Sequence, residues 1–158
     1  MIRPGMPEDA EAVARVQIAS WQEGYKHLFS DEQLSGISLA DRTRFWRRFP
    51  PIVAEVDEEV VGFVKVGPAH RDEAAESELH AIYVHPEHWD RGVGRALIEA
   101  GEALLREQGY SNAILWVWDD NPRARRFYEA AGWAADGAQK DDEFWGMSAR
   151  VVRYAKRL

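Results

Sequence analysis

His85-Pro-Glu-His-Trp-Asp-Arg-Gly-Val-Gly-Arg-Ala-Leu97 leaves a β-branched run, turns through Gly92 and Gly94 and opens directly into a helix. A strand, a glycine-containing turn and a helix N-terminus together make a natural anion site. Glycine lets the backbone approach a ligand closely, and the N–H groups of a first helical turn have no partner within the helix. The helix dipole adds partial positive charge at the same end. The segment therefore predicts a bound phosphate or pyrophosphate.

Outward from that turn, residues 78–84 read as the preceding strand and 91–108 as the following helix, closing at Gly109. A strand at 113–118 comes next, so 78–118 should form a right-handed parallel crossover. Asn121 caps a further helix that carries Pro122 in its first turn and ends at Gly132. Residues 133–158 read as two last strands joined near 140–143. Upstream, 1–3 is a short strand, and Pro7 begins a helix continued by Ala10, Val13, Ala14, Val16, Ile18 and Trp21. Ser30 starts a short helix, and Ala40 starts another that stops at Pro50-Pro51. Residues 52–56 and 59–66 read as strands around a turn at Asp57-Glu58, and 70–77 as a polar loop. The order β-α-α-β-β-β-α-β-α-β-β predicts one α/β (α+β) domain over residues 1–158, built on a mixed central sheet of about seven strands.

The chain has 158 residues, 46% of them hydrophobic and 30% charged, which is ordinary for a globular protein. Cysteine is absent, which excludes disulfides, thiolate metal sites and a cysteine nucleophile. A formal charge of −7 argues against nucleic-acid binding and favours a cationic small substrate. No apolar run approaches the roughly 20 residues that span a bilayer, so no membrane partner is expected. With no secretory segment evident, a cytoplasmic setting is the expectation.

Which anion the turn holds is narrowed by what it lacks. A Walker A loop needs lysine and then serine or threonine after its last glycine, but Arg95-Ala96 follow Gly94. A dinucleotide fingerprint needs a small residue where Leu97 stands. Two longer segments together, Glu78-Leu-His-Ala-Ile-Tyr-Val-His-Pro-Glu-His-Trp-Asp-Arg-Gly-Val-Gly-Arg-Ala-Leu97 and Asn121-Pro-Arg-Ala-Arg-Arg-Phe-Tyr-Glu-Ala-Ala-Gly-Trp133, resemble the GNAT superfamily of N-acetyltransferases. The resemblance implies that family's fold and an acyl-CoA, most simply acetyl-CoA, as co-substrate. It places the pyrophosphate on the loop Trp89, Asp90, Arg91, Gly92, Val93, Gly94 and Arg95, with backbone N–H groups from Asp90 to Arg95 as donors. It places the pantetheine along the strand Ile82-Tyr83-Val84, as an added pseudo-strand on the backbone of Ile82 and Val84. Asn121 would approach the pantetheine arm, and Phe127 and Tyr128 the thioester. The family usually has glutamine or arginine where Trp89 stands and often glycine where Asp90 stands. Arg91 and Arg95 offset the carboxylate of Asp90.

Acyl transfer to an amine needs a base for the amine, a donor for the oxyanion and an acid for the leaving thiolate. The resemblance offers Glu78 as base, the Ile82 N–H as oxyanion donor and Tyr128 as acid. His80, two residues along the strand and on the same face, is the second base candidate. Without cysteine, direct attack in a ternary complex is expected rather than an acyl-thiol intermediate. Trp21 and Tyr25 share a helix face and are candidates to line the acceptor site or to pack in the core. Asp141, Asp142 and Glu143 read as an acidic turn. Arg123, Arg125 and Arg126 read as a solvated helix face, one of which meets the 3′-phosphate if any does. His85 and His88 lack the spacing of a helical zinc motif, so no metal is expected. The predicted activity is acetyl transfer to the amine of a small molecule or peptide. The alternatives are a non-catalytic CoA-binding regulatory module and a protein lysine or N-terminal acetyltransferase. A homodimer is compatible with the basic tail at 153–158.

Overall fold

The computed structural model describes residues 1–70 and 75–158. Its strands are β1 (Ile2–Pro4), β2 (Ile52–Val56), β3 (Glu59–Pro68), β4 (Ser77–Val84), β5 (Asn112–Trp118), β6 (Ala134–Phe144) and β7 (Met147–Arg157). Its helices are α1 (Ala10–Tyr25), α2 (Asp31–Ser35), α3 (Leu39–Arg48), α4 (Val93–Glu107) and α5 (Pro122–Ala130), with single 3-10 turns at Pro7–Asp9 and Pro86–His88. The strands form one mixed seven-stranded sheet in the order β1-β2-β3-β4-β5-β7-β6. The chain divides into two compact units, Met1–Lys65 with Ala81–Gly101, and Val66–His80 with Glu102–Leu158.

In the first unit, β1 pairs antiparallel with β2, and β2 with β3. Two residues join β2 to β3, and both have positive φ, Asp57 at 51° and Glu58 at 67°. That is the backbone of a primed turn, whose twist matches the flanking strands. Helix starts follow local chemistry. Asp9 accepts from the Met6 N–H at 2.8 Å before α1, Ser30 and Gln33 form a capping box on α2, and Ser38 caps α3 by accepting from Asp41. Ala10, Val13, Ala14 and Val16 of α1 pack with Trp46 of α3, Val53 of β2 and Phe63 of β3 into a buried core. The Trp46 indole donates to the Gln17 side chain at 2.8 Å, so this core leaves that N–H satisfied.

In the second unit β4 pairs with β5 in parallel at Glu78↔Ile114, the expected orientation for strands linked through a helix. β5 pairs antiparallel with β7, and β7 with β6. Leu105, Leu115, Met147, Val151 and Tyr154 are its most buried side chains. Gly109 and Gly132 end α4 and α5 at φ +93° and +91°, as a left-handed helix stop requires.

Three expectations are corrected here. The last two strands do not turn at 140–143. Lys140, Asp141, Asp142 and Glu143 are ladder residues of β6, opposite Val151, Arg150, Ala149 and Ser148. The turn is Trp145-Gly146, with φ +51° and +78°. The acidic run instead lies along an edge strand, with Asp141 and Glu143 exposed and Asp142 on the opposite face, where charge discourages further pairing. Nor is Arg125 merely solvated. It donates to the Tyr154 hydroxyl at 3.0 Å and to Asp119 at 2.7 Å. The loop expected at 70–77 lies partly outside the described residues, and its end, Ser77, already belongs to β4.

Candidate active site

The loop expected to hold the phosphate lies in the first unit. β4 ends at Val84, one 3-10 turn follows, and α4 begins at Val93. Asp90 and Gly92 both take positive φ, 62° and 82°, which bends the chain into the helix N-terminus. A side chain added at Gly92 would meet nothing within 4 Å, so the backbone there is open to a ligand. The first α4 hydrogen bond counted from the loop is the Ala96 N–H to the Gly92 carbonyl at 3.1 Å, which leaves the N–H groups before it outside the helical ladder. Arg95 is tied to Glu99 at 3.1 Å on the exposed face, and Arg91 is exposed.

The strand above this loop has its outer backbone edge defined by one peptide. The His85 N–H donates to Val61 of β3 at 2.8 Å. Because the peptide is planar and trans, the Val84 carbonyl points the opposite way, away from β3. Ile82, two residues earlier in the strand, shares that direction. The Val84 carbonyl accepts from the Trp89 indole at 2.7 Å, so the loop tryptophan reaches back onto the strand edge.

Trp21 and Tyr25 are brought together as their spacing predicted, with ring centroids 4.5 Å apart, and both are buried. The Trp21 indole donates to the Tyr83 hydroxyl at 2.9 Å, and burial raises the Tyr83 phenol above its ordinary range. The pair thus stands behind Tyr83, between Ile82 and Val84 in sequence.

In the second unit, Glu78 sits at the start of β4 with its side chain only 7% exposed. His70 Nδ1 lies 2.9 Å from one carboxylate oxygen, and His80 Nδ1 lies 3.6 Å from the other. Burial pushes the Glu78 carboxyl up, but the hydrogen bonds of His80 and His70 outweigh it and hold the group below the ordinary carboxylate value. His80 Nε2 lies 3.0 Å from the Pro68 carbonyl, which fixes that nitrogen as the donor. His70 was not among the residues singled out from sequence. Its only signal is the hairpin itself. β3 neighbours β4 in the sheet, and Pro68 at the end of β3 and His70 two residues beyond it meet His80 and Glu78, but neither strand end was known closely enough to bring them together.

Asn121 caps α5, its side-chain oxygen accepting from Ala124 at 3.1 Å. Tyr128 is buried on that helix, with ring centroids 5.4 Å from Phe127 and 6.2 Å from Tyr154. The Tyr154 hydroxyl donates to Glu129 at 2.7 Å while accepting from Arg125, so the α5 side of β7 is a closed polar network.

Residues 10–133 match the model of the acetyltransferase (GNAT) family. The uncharacterized N-acetyltransferase YuaI of Bacillus subtilis is 31% identical over 134 residues, covering 82% of this chain and 77% of its own. A GCN5-related N-acetyltransferase of Rhodopseudomonas palustris superposes with a TM-score of 0.82 at 27% identity, over 100% of this chain and 95% of its own. The PaiA N-acetyltransferase of Thermoplasma acidophilum, solved with coenzyme A, shares the fold with a TM-score of 0.79 at 19% identity, over 100% of this chain and 98% of its own. The chain belongs to the GNAT family of acetyltransferases.

Proposed function

We propose that residues 1–158 form a single N-acetyltransferase domain that moves the acetyl group to a cationic small-molecule or peptide amine by direct attack in a ternary complex. The observation that carries the transfer chemistry is the buried Glu78 carboxylate held between two imidazoles. A neutral amine is needed for attack, and an ordinary alkylamine has a pKa near 10.4, so its proton must be taken up on the enzyme. Glu78 accepts it, directly or through water, and His80 and His70 on either side disperse it. The absence of cysteine supports direct transfer over an acyl-thiol intermediate.

The remaining roles follow residue by residue. The backbone from Asp90 to Arg95, with Trp89 at the loop's entrance, holds the pyrophosphate, supported by the N–H groups that precede the first helical hydrogen bond and by the open space at Gly92. The pantetheine pairs with the strand edge of Ile82 and Val84, supported by the direction of the Val84 carbonyl. The Ile82 N–H donates to the oxyanion. Asn121 meets the pantetheine arm, Phe127 packs at the thioester, and Tyr128 protonates the departing thiolate. Trp21 and Tyr25 form the back wall of the acceptor side through Tyr83. The net charge of −7 supports a cationic acceptor. A cytoplasmic setting and a homodimer complete the proposal, and light scattering on the purified chain tests the second.

The deciding experiment is a screen of amines by thiol release from acetyl-CoA, repeated with Tyr128→Phe and Glu78→Gln. Calorimetry with acetyl-CoA runs alongside. Each substitution is expected to lower kcat about a hundredfold while acetyl-CoA still binds. Unchanged kcat in both variants would overturn these assignments.

A further inference from the structure

We propose that His70, Glu78 and His80 form a binding site for one divalent cation of the zinc class. The cluster stands outside anything the resemblance predicts, because His70 enters it only through the fold. One ligand atom from each residue lies within 4.8 Å of the others. Zinc bonds of about 2.0–2.2 Å to imidazole nitrogen and carboxylate oxygen put neighbouring ligand atoms of a tetrahedron about 3.3 Å apart. The two contacts to the Glu78 carboxylate, 2.9 Å from His70 Nδ1 and 3.6 Å from His80 Nδ1, bracket that spacing.

The orientation of His80 is the stronger argument. Its Nε2 faces the Pro68 carbonyl at 3.0 Å, and a carbonyl only accepts, so the ring hydrogen is on Nε2. Nδ1 is then the ring nitrogen that faces the Glu78 carboxylate, 3.6 Å away, and a cation between them would take both as ligands. A ligand histidine whose other ring nitrogen donates to a backbone carbonyl is also the usual outer support of a metal site. The His70 and His80 rings meet edge to face at 90°, with centroids 5.1 Å apart, so their nitrogens converge rather than stack.

The remaining features set the class of ion. Two imidazoles and one carboxylate suit zinc and its borderline neighbours, whereas magnesium and calcium take oxygen ligands. The His70 side chain is 72% exposed, so an ion has a path in and a water completes its coordination. The pair His85 and His88 offers no such convergence. His85 Nδ1 already accepts from the Glu87 N–H at 3.2 Å, and the two rings lie 6.5 Å apart. A bound ion would occupy the Glu78 carboxylate. The consequence for transfer rests on the proton-accepting role proposed above, but the binding itself does not.

Calorimetric titration of the tag-free full chain with zinc chloride tests the site, with magnesium chloride as the control ion. One zinc per chain with micromolar or tighter affinity is expected, and no heat from magnesium. His70→Ala and His80→Ala should each weaken zinc at least tenfold, while His88→Ala leaves it unchanged. Acetyl-CoA binding by each variant checks that it folds. Absence of zinc binding, or His70 and His80 variants that bind zinc as tightly as the parent, would overturn the site. Stoichiometric zinc that leaves thiol release untouched would support the site and overturn the role of Glu78 instead.

Discussion

Asp90 holds φ +62° at the position where the family resemblance implies glycine. Aspartate is one of the few side chains that tolerates this region, which is how the loop keeps its shape without glycine. The cost is electrostatic, because its carboxylate stands in the loop proposed to meet a pyrophosphate. Asp90→Gly should therefore strengthen acetyl-CoA binding roughly fivefold at low salt, about 1 kcal/mol for one removed charge near the ligand. The gain should shrink as ionic strength rises, and titrations at two salt concentrations check it. A second residue-scale expectation concerns Glu102, whose side chain is 4% exposed and meets Lys156 at 2.5 Å. Lys156 also donates to the Ala131 carbonyl at 2.7 Å, where α5 ends. Lys156→Met leaves the Glu102 charge buried, with Arg106 at 3.6 Å beside it. A loss of about 3 kcal/mol is expected in urea unfolding. The pair itself was not legible in the sequence, since Glu102 and Lys156 lie on α4 and β7 and no spacing rule links them.

At the scale of elements, the β2–β3 hairpin was readable because two β-branched runs flank two polar residues. Asp57 and Glu58 both take the left-handed region, where glutamate is a poor occupant. Glu58→Gly should raise stability by about 1 kcal/mol, a shift of the urea midpoint at constant slope. The β6–β7 hairpin was misread for a related reason. The polar run at 140–143 looks like a turn by composition, but Trp145-Gly146 makes the turn by backbone conformation. A bulge between Ala135 and Gln139, at Gly137 with φ +91°, further disguises the alternation of β6. The strand, glycine turn and helix around the loop before α4 were legible, because glycines and a helix start are local signals, although the helix starts at Val93 rather than Arg91 and a 3-10 turn at Pro86–His88 precedes it. The close packing behind it was not. A Cβ on Gly62 would come within 2.9 Å of Leu97 and 3.1 Å of the Tyr83 carbonyl, which only the assembled fold reveals.

For the molecule as a whole, stability should depend on acid in a defined way. The Arg3 guanidinium holds Asp9 with two hydrogen bonds of 2.8 and 2.9 Å, while also reaching Glu55 on β2. The Arg3 hydrogen bonds lower the Asp9 carboxyl, against a smaller upward push from burial, and the Met6 N–H adds to the lowering. A carboxyl lowered in the folded state stabilises the fold above its unfolded value, and that contribution is lost as pH falls through the folded one. Asp9→Asn should therefore be less stable than the parent at pH 7, and the difference should vanish near pH 2, as denaturant melts at both pH values will register. The candidate site divides in the same way as the fold. Its motifs could be read one by one, whereas the meeting of His70 with Glu78, eight residues apart, depends on how β4 is set against the end of β3. The Trp89 indole on the Val84 carbonyl has its own thermodynamic consequence. Under the proposed pantetheine pairing, docking is a substitution reaction, with an incoming amide taking the place of an indole already bonded there. Its enthalpy will be small at that edge, and the displaced tryptophan will report the exchange through its own emission.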